Sequence, residues 1–449
     1  MEYLVFGAGV SGLGACELLA KQNNKVYLYD KDKKKLHDLK RAKLVADSVV
    51  LCTKSFKNCV HSTMCIVLSP GVLLTPKIDK IIKKYNLTTL GELELGAKNC
   101  QGTLIVITGT NGKTTTTTLT DFVLNYAQKH SFCVGNVGIS ICSVALKTKP
   151  QNYIVCEASS FQLEHSKTMH PHIVAFLNFA PDHLDRYKTL DDYLSAKSHV
   201  FDNLDNNDYV VLNYDDDVVR ACAHKTNARV IYFSVNHILD SFEYSAWVFE
   251  QVLHVKLGDK IHRISTIGTK LSGMHNVANM LVASVIALLC GVDENLISEA
   301  FVKYTLPSHR CEFVGEFGGV RYIDDSKATN IHATTNALAN IKTPIVLMLG
   351  GSDKGEDFDV FFAHIPNNVK AIVTFGQMGK KLYKLANKYN VNNVHYVRDF
   401  KLALDEAKSQ SLAGDTVLLS PACASFDAFD SYAERGDYFK YLVCGGDVE

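Results

Sequence analysis

The chain has 449 residues, more than one hydrophobic core organises comfortably, so two or three domains are expected. Hydrophobic residues make up 47% and charged residues 21%, and Lys+Arg balances Asp+Glu at 47 each, which argues against a nucleic-acid coat or an anionic-membrane binder. Thirteen scattered cysteines without metal-ligand spacing read as reduced thiols. The chain opens directly on a strand, and its longest apolar run, Met280 to Val292, is too short to span a bilayer. A cytoplasmic enzyme with no leader and no membrane or nucleic-acid partner is expected.

The first stretch, to about Gly91, predicts strands at Tyr3–Phe6, Val26–Tyr29, Ser48–Cys52 and Cys65–Leu68 with helices between. Gly7-x-Gly9-x-x-Gly12 sits at the first strand-to-helix turn, and Asp30 ends the second strand. This is a dinucleotide fingerprint in its proper context. On these residues alone NAD is favoured. Another diphosphate, or glycines that serve only helix–strand packing, stay open.

The second stretch, 92–305, carries the most informative motif. A β-branched strand from Thr103 runs into Thr108-Gly109-Thr110-Asn111-Gly112-Lys113-Thr114-Thr115, and a helix follows with Leu119, Phe122, Val123 and Tyr126 on one face. Backbone N–H groups and the helix N-terminus can close around a polyphosphate, the lysine can meet its outer charge, and the threonine can ligate magnesium. The general P-loop's first glycine falls on Ile107 here, so the motif is a variant. Downstream, the predicted strand Asn152–Cys156 ends in Glu157, where a magnesium-coordinating acid belongs. A second strand, Ile173–Leu177, leads through Asn178 to His183 and Arg186. His183 reads equally as a structural residue or a metal ligand. In the helix after it, Leu190, Tyr193, Leu194, Lys197 and Phe201 share one face, which puts a lysine where the pattern expects a core residue. A long stem can snorkel. If the amine is buried instead, its charge is disfavoured and a nucleophile results.

The third stretch, 306–449, alternates strand and helix again, with strands expected at Val320–Asp324, Ile345–Leu349, Ala371–Phe375, His395–Val397 and Thr416–Leu419 in an open parallel sheet. Polar loops lie at strand ends: Asp324 to Asn330, Gly350 to Gly355, and Ser420 to Asp427. Ligands of doubly wound sheets bind at such ends.

Together these segments resemble the Mur ligases, ATP-dependent amide-bond-forming enzymes of peptidoglycan precursor synthesis, over essentially the whole chain. The resemblance rests on Thr108 to Thr115, Glu157 to Gln162, Asn178 to Arg186, and Gly273-Met274-His275-Asn276. Within the family the D-glutamate-adding branch fits best, through the amino-terminal fingerprint, Asp325 to Asn330, Ser420 to Ser425 and Glu434-Arg435-Gly436. The L-alanine-adding branch shares the fingerprint and is the nearest rival.

The resemblance implies an α/β protein of three domains: a Rossmann-like UDP-sugar domain over 1–91, a central P-loop ATPase-like domain over 92–305, and a Rossmann-like amino-acid domain over 306–449. It reverses the NAD preference, because the family's glycine turn faces uridine diphosphate. It implies ATP on Gly109, Thr110, Asn111, Gly112, Lys113, Thr114 and Thr115, with Asn276, Asn279, Arg310 and Asp325 around the adenosine and His309 nearby. The implied partners of UDP-N-acetylmuramoyl-L-alanine are Val10, Ser11, Asp30, Lys31, Gly71, Asn136 and His183. D-Glutamate would lie among Lys327, Thr329, Lys354, Ser425 and Tyr432, the last standing where the family often has phenylalanine. Two magnesium ions are implied, one on Thr114 and Glu157, the other on His183 and a carbamate formed by CO2 on Lys197. Lys113, His183, Lys197 and Lys327 are the implied catalytic groups of a monomeric ligase. A dinucleotide-dependent oxidoreductase and a P-loop switch protein are the readings from other classes. The first explains neither the phosphate loop nor the loops of the third stretch, and the second predicts slow nucleotide hydrolysis without an acceptor.

Overall fold

Three sheets organise the chain, and a computed structural model describes all of it except residues 43–45, 47, 63, 73, 184, 185, 272 and 447–449. The first sheet contains β1 (Glu2–Phe6), β2 (Lys25–Tyr29), β3 (Val49–Cys52), β4 (Met64–Leu68) and β5 (Thr88–Gly91). Its order is β3-β2-β1-β4-β5, and every pairing is parallel. Alternate side chains of β1 feed opposite cores: Val5 packs with Leu18, Leu19 and Leu28, while Leu4 and Phe6 pack with Phe56 and Ile66. The sheet is therefore buried on both faces. Leu95, Cys142 and Ala145 also join the Val5 side, so the 92–99 and 141–147 segments close it.

The central sheet has nine strands: β6 (Thr103–Thr108), β7 (Ser131–Gly135), β8 (Tyr153–Glu157), β9 (Ile173–Phe176), β10 (Tyr209–Asn213), β11 (Arg229–Ser234), β12 (Tyr244–Phe249), β13 (Val252–Leu257) and β14 (Lys260–Ser265). The order is β14-β13-β12-β11-β10-β9-β6-β8-β7, which brings β6, the phosphate-loop strand, between β8 and β9. Those parallel neighbours end in Glu157 and lead into Asn178, so the glycine-rich loop, Glu157 and Asn178 lie at the C-terminal ends of three adjacent strands. The antiparallel ribbon β12–β13–β14 extends the sheet beyond the strands read from the sequence.

The third sheet runs β15-β16-β20-β17-β18-β19, with β15 (Glu312–Phe317), β16 (Val320–Asp324), β17 (Ile345–Gly350), β18 (Val369–Phe375), β19 (Val394–Tyr396) and β20 (Thr416–Ala422). The expected open parallel sheet needs one correction. β15 pairs antiparallel with β16, because Gly318 and Gly319 both adopt positive φ and make a tight hairpin turn. Along β17 the pleat sorts Val346 and Met348 to one core and Ile345, Leu347 and Leu349 to the other.

The chain separates into two compact units. One comprises Met1–Phe179, Asp191–Lys270 and Asn276–Tyr304, and the other Ala180–Leu190, Leu271–His275 and Thr305–Glu449. Among the described residues, no helix is long and apolar enough to cross a membrane.

Candidate functional site

A cavity of about 630 Å³ opens at the first glycine turn. It is lined by Gly7, Gly9, Val10, Ser11, Asp30, Lys31, Gly71 and Asn136, so every residue assigned above to the sugar nucleotide reaches it except His183, which belongs to the other unit. Gly12 lets the helix Val10–Lys21 come this close to β1, since a Cβ there would lie 1.8 Å from the Gly7 carbonyl oxygen. That helix has no side-chain cap at Gly9, so its N-terminal N–H groups suit a diphosphate. Asp30 has another duty. Its carboxylate accepts from the Ala8 N–H at 2.7 Å and the Asp32 N–H at 2.9 Å, which braces the turn. Ser140 and Gln162 also line the cavity and were not anticipated; the Ser140 hydroxyl donates to buried Glu92 at 2.5 Å.

Hydrogen bonds connect this cavity to the phosphate loop. Asn136 Nδ2 donates to Glu157 Oε1 at 2.7 Å, and Thr114 Oγ1 donates to Glu157 Oε2 at 2.7 Å. Glu157 is 1% exposed, so one buried carboxylate joins the cavity to the first turn of the phosphate-loop helix. A threonine hydroxyl and a carboxylate are hard oxygen donors, the chemistry that magnesium takes. Gly112 sits at φ +81 at the helix start, a conformation that L side chains resist. Asn178 stitches the loop from below, accepting from the Asn111 N–H at 2.8 Å and donating to the Asn111 carbonyl at 3.0 Å. Asn279 accepts from Thr116 at 3.0 Å and pairs with Asn276, so these two residues lie beside the same helix.

Lys197 does not snorkel. It is 1% exposed, its ammonium donates to the Gly109 carbonyl at 2.7 Å, and it lies 4.7 Å from the Tyr193 ring centre. The Lys113 ammonium donates to the same carbonyl at 2.9 Å and to that of Thr110 at 2.7 Å. Two like charges thus converge on one oxygen at the mouth of the loop.

The second unit carries the remaining residues. His183 has φ +57 and lies 3.6 Å from Asp182; Leu184 and Asp185, within the same motif, lie outside the described residues. Lys327 stands 3.7 Å over the Tyr432 ring. Lys354 reaches Asp182 Oδ1 at 3.3 Å and Thr329 Oγ1 at 3.4 Å. Ser425 is buried in the loop after β20. Asp325, expected at the adenosine beside Arg310, is buried and accepts from the Cys311 N–H at 3.1 Å and the Ser420 hydroxyl at 2.7 Å. Burial pushes its carboxyl up to about 7, against the pull of those bonds and of Arg310.

Arg435 was part of a motif but had no assigned role. It is 0% exposed and donates to Ser326 Oγ and O at 2.9 Å and to the Ala424 and Cys423 carbonyls at 3.2 Å, which ties two of the polar loops together. Burial lowers its pKa to about 10. Arg435→Ala strands several buried acceptors, so a loss of roughly 3 kcal/mol in denaturant unfolding is expected. A midpoint equal to that of the parent would contradict this.

Comparison with known proteins fits this geometry. Residues 107–287 match the Mur ligase middle domain, and residues 309–423 match the Mur ligase, glutamate ligase domain. The UDP-N-acetylmuramoylalanine--D-glutamate ligase of Alkaliphilus metalliredigens is 40% identical over 379 residues, 84% of this chain and 83% of the relative. The protein of the same name from Caldanaerobacter subterraneus subsp. tengcongensis is 37% identical over 447 residues, 98% of this chain and 97% of the relative. The crystal structure of the UDP-N-acetylmuramate-alanine ligase MurC from Thermotoga maritima shares the fold at a TM-score of 0.59 and 18% identity, over 99% of each chain. This chain belongs to the Mur ligase family.

Proposed function

We propose that the protein is an ATP-dependent ligase that joins D-glutamate to UDP-N-acetylmuramoyl-L-alanine through an acyl phosphate, releasing ADP and phosphate. The observation that carries this is the continuous Asn136–Glu157–Thr114 connection, because it links the cavity at the glycine turn to the phosphate loop. A sugar nucleotide anchored at Val10 and Ser11 would then extend its carboxylate toward the γ-phosphate. The domains are 1–91 for the UDP-sugar, 92–305 for ATP and 306–449 for the amino acid.

A carboxylate cannot acylate an amine unaided, so one of its oxygens first takes the γ-phosphoryl group. Two anions meet in that step, and fixed cations must neutralise the transferring group. Lys113 meets the β- and γ-phosphates, while Gly109 to Thr115 hold the chain through backbone N–H groups. Magnesium would be held by Thr114 and Glu157 and would screen phosphate charge there. His183 and a Lys197 carbamate would hold a second ion. The carbamate reading is supported by the buried ammonium that shares the Gly109 carbonyl with Lys113, since an anion at Lys197 replaces repulsion with attraction. The amine of the incoming amino acid then attacks the acyl carbon, and phosphate leaves. Asn276, Asn279, Arg310 and Asp325 would surround the adenosine.

D-Glutamate rather than L-alanine is favoured by two cations, Lys327 and Lys354, in the third-domain loops, one for each carboxylate of a dicarboxylic amino acid. The relatives named for D-glutamate point the same way. The role is cytoplasmic, in cell-wall synthesis and hence in cell shape and division, carried out by a monomer. Lys354→Ala should raise the apparent KM for D-glutamate on the order of tenfold or more, as expected for a lost charge-assisted contact, with the KM for ATP little changed. An unaltered D-glutamate KM would move the pocket elsewhere. The reading as a whole is tested by product mass: ATP, magnesium, D-glutamate and the UDP-muramoyl-alanine acceptor should yield a nucleotide heavier by one glutamyl residue. Phosphate release without acceptor, and no such product, would instead favour a nucleotide switch.

A further inference from the structure

Lys354 is not held in place by its own contacts alone. Two residues on, Glu356 Oε2 accepts the N–H of Ile331 at 2.8 Å. Ile331 is the first residue of the helix Ile331–Asn340, whose N-cap Asn330 accepts from the Ala333 N–H at 2.8 Å. Thr329, which Lys354 reaches from the other side, immediately precedes that cap. The 350–358 loop is thus fastened twice to one helix start, by a carboxylate and by an ammonium. Glu356 Oε1 is buried with no hydrogen-bond partner among the described residues. Leaving a buried carboxylate oxygen unsatisfied is costly, so this residue is placed at some expense to the fold.

We propose that Glu356 is a positioning residue of the amino-acid pocket, pinning the 350–358 loop to the first turn of the helix Ile331–Asn340 and so fixing where Lys354 presents its ammonium. The inference rests on Lys354 as the amino-acid anchor proposed above. Its chemistry makes it pH-dependent. Burial, aided by Asp182 and Asp353, raises the Glu356 carboxyl to about 7, against the Ile331 N–H and Lys354. The Ile331 N–H and Lys354 favour the ionised form, but burial outweighs them, so the pinned loop binds the proton more tightly than a solvated loop does. Loop order and amino-acid affinity therefore weaken as pH rises through neutrality and the buried carboxyl ionises.

The test uses the full chain, with phosphate release measured against D-glutamate and against ATP from pH 6 to 9, and thermal unfolding measured alongside. Glu356→Ala should raise the D-glutamate KM by about tenfold, the value of one charge-assisted hydrogen bond, with the ATP KM nearly unchanged. Glu356→Gln keeps an oxygen for the Ile331 N–H, so it should recover most of that loss and abolish the rise in D-glutamate KM as pH rises through neutrality. A wild-type D-glutamate KM in Glu356→Ala, or an unchanged pH profile in Glu356→Gln, overturns the assignment. If Glu356→Ala does not fold, the Glu356→Gln profile decides alone. A parent enzyme with no phosphate release on D-glutamate would overturn the ligase reading and this one with it, whereas variant data alone overturn only this one.

Discussion

Lys197→Ala should lose turnover by about a thousandfold or more, the scale of removing one preorganised charge partner from a phosphoryl-transfer site. Stability should hardly fall. The substitution removes a buried cation whose desolvation opposes folding, and it gives up one bond to the Gly109 carbonyl together with the packing of the stem on Tyr193. A structural lysine would behave in the opposite way, losing stability and sparing turnover. The carbamate itself has two further signatures. Activity of the parent should fall when CO2 and bicarbonate are stripped from the buffer, and small carboxylic acids should partly restore the alanine variant. Near wild-type turnover in Lys197→Ala would end the carbamate proposal.

Glu157→Ala should be nearly as damaging, because one carboxylate serves two functions. It accepts from Thr114 at the phosphate loop and from Asn136 at the cavity, with its two oxygens 2.7 Å from each donor. Its removal would take away the hard donor proposed for magnesium and free the Asn136 side chain that lines the cavity. A fall in kcat of about a hundredfold is expected, typical of deleting one group that stabilises transferring charge, together with weaker binding of both ATP and sugar nucleotide. Asn136→Ala provides the contrast: it should raise the sugar-nucleotide KM and leave the ATP KM alone. Kinetics with unchanged KM values for both substrates in Glu157→Ala would show that the bridge has no functional weight.

Local features of the site were legible in the sequence because each is written within a few residues. The glycine turn, the phosphate loop and the buried position of Lys197 follow from spacing and periodicity, and the structure has strands or helices at all three. The antiparallel additions were missed although signals were present: Gly318-Gly319 is a hairpin dipeptide, and Gly258-Asp259 separates β13 from β14. The roles of Arg435, Asn178 and Glu356 were not legible. Arg435 bonds a loop 109 residues away, Asn178 one 67 residues away, and Glu356 one 25 residues away. Such partners depend on which strands become neighbours, and hydrophobic patterning leaves that order open. Asp30 is a different case, since its position was evident while its bond to the Ala8 N–H was not.

Amino-acid selectivity probes the proposed activity most directly. Phosphate release would be followed with the full chain, ATP, magnesium and UDP-N-acetylmuramoyl-L-alanine, adding D-glutamate, L-glutamate, L-alanine or meso-diaminopimelate one at a time. Release that requires the sugar nucleotide and rises only with D-glutamate is the expected result. Release driven equally well by another of these amino acids, or independent of all four, would contradict it.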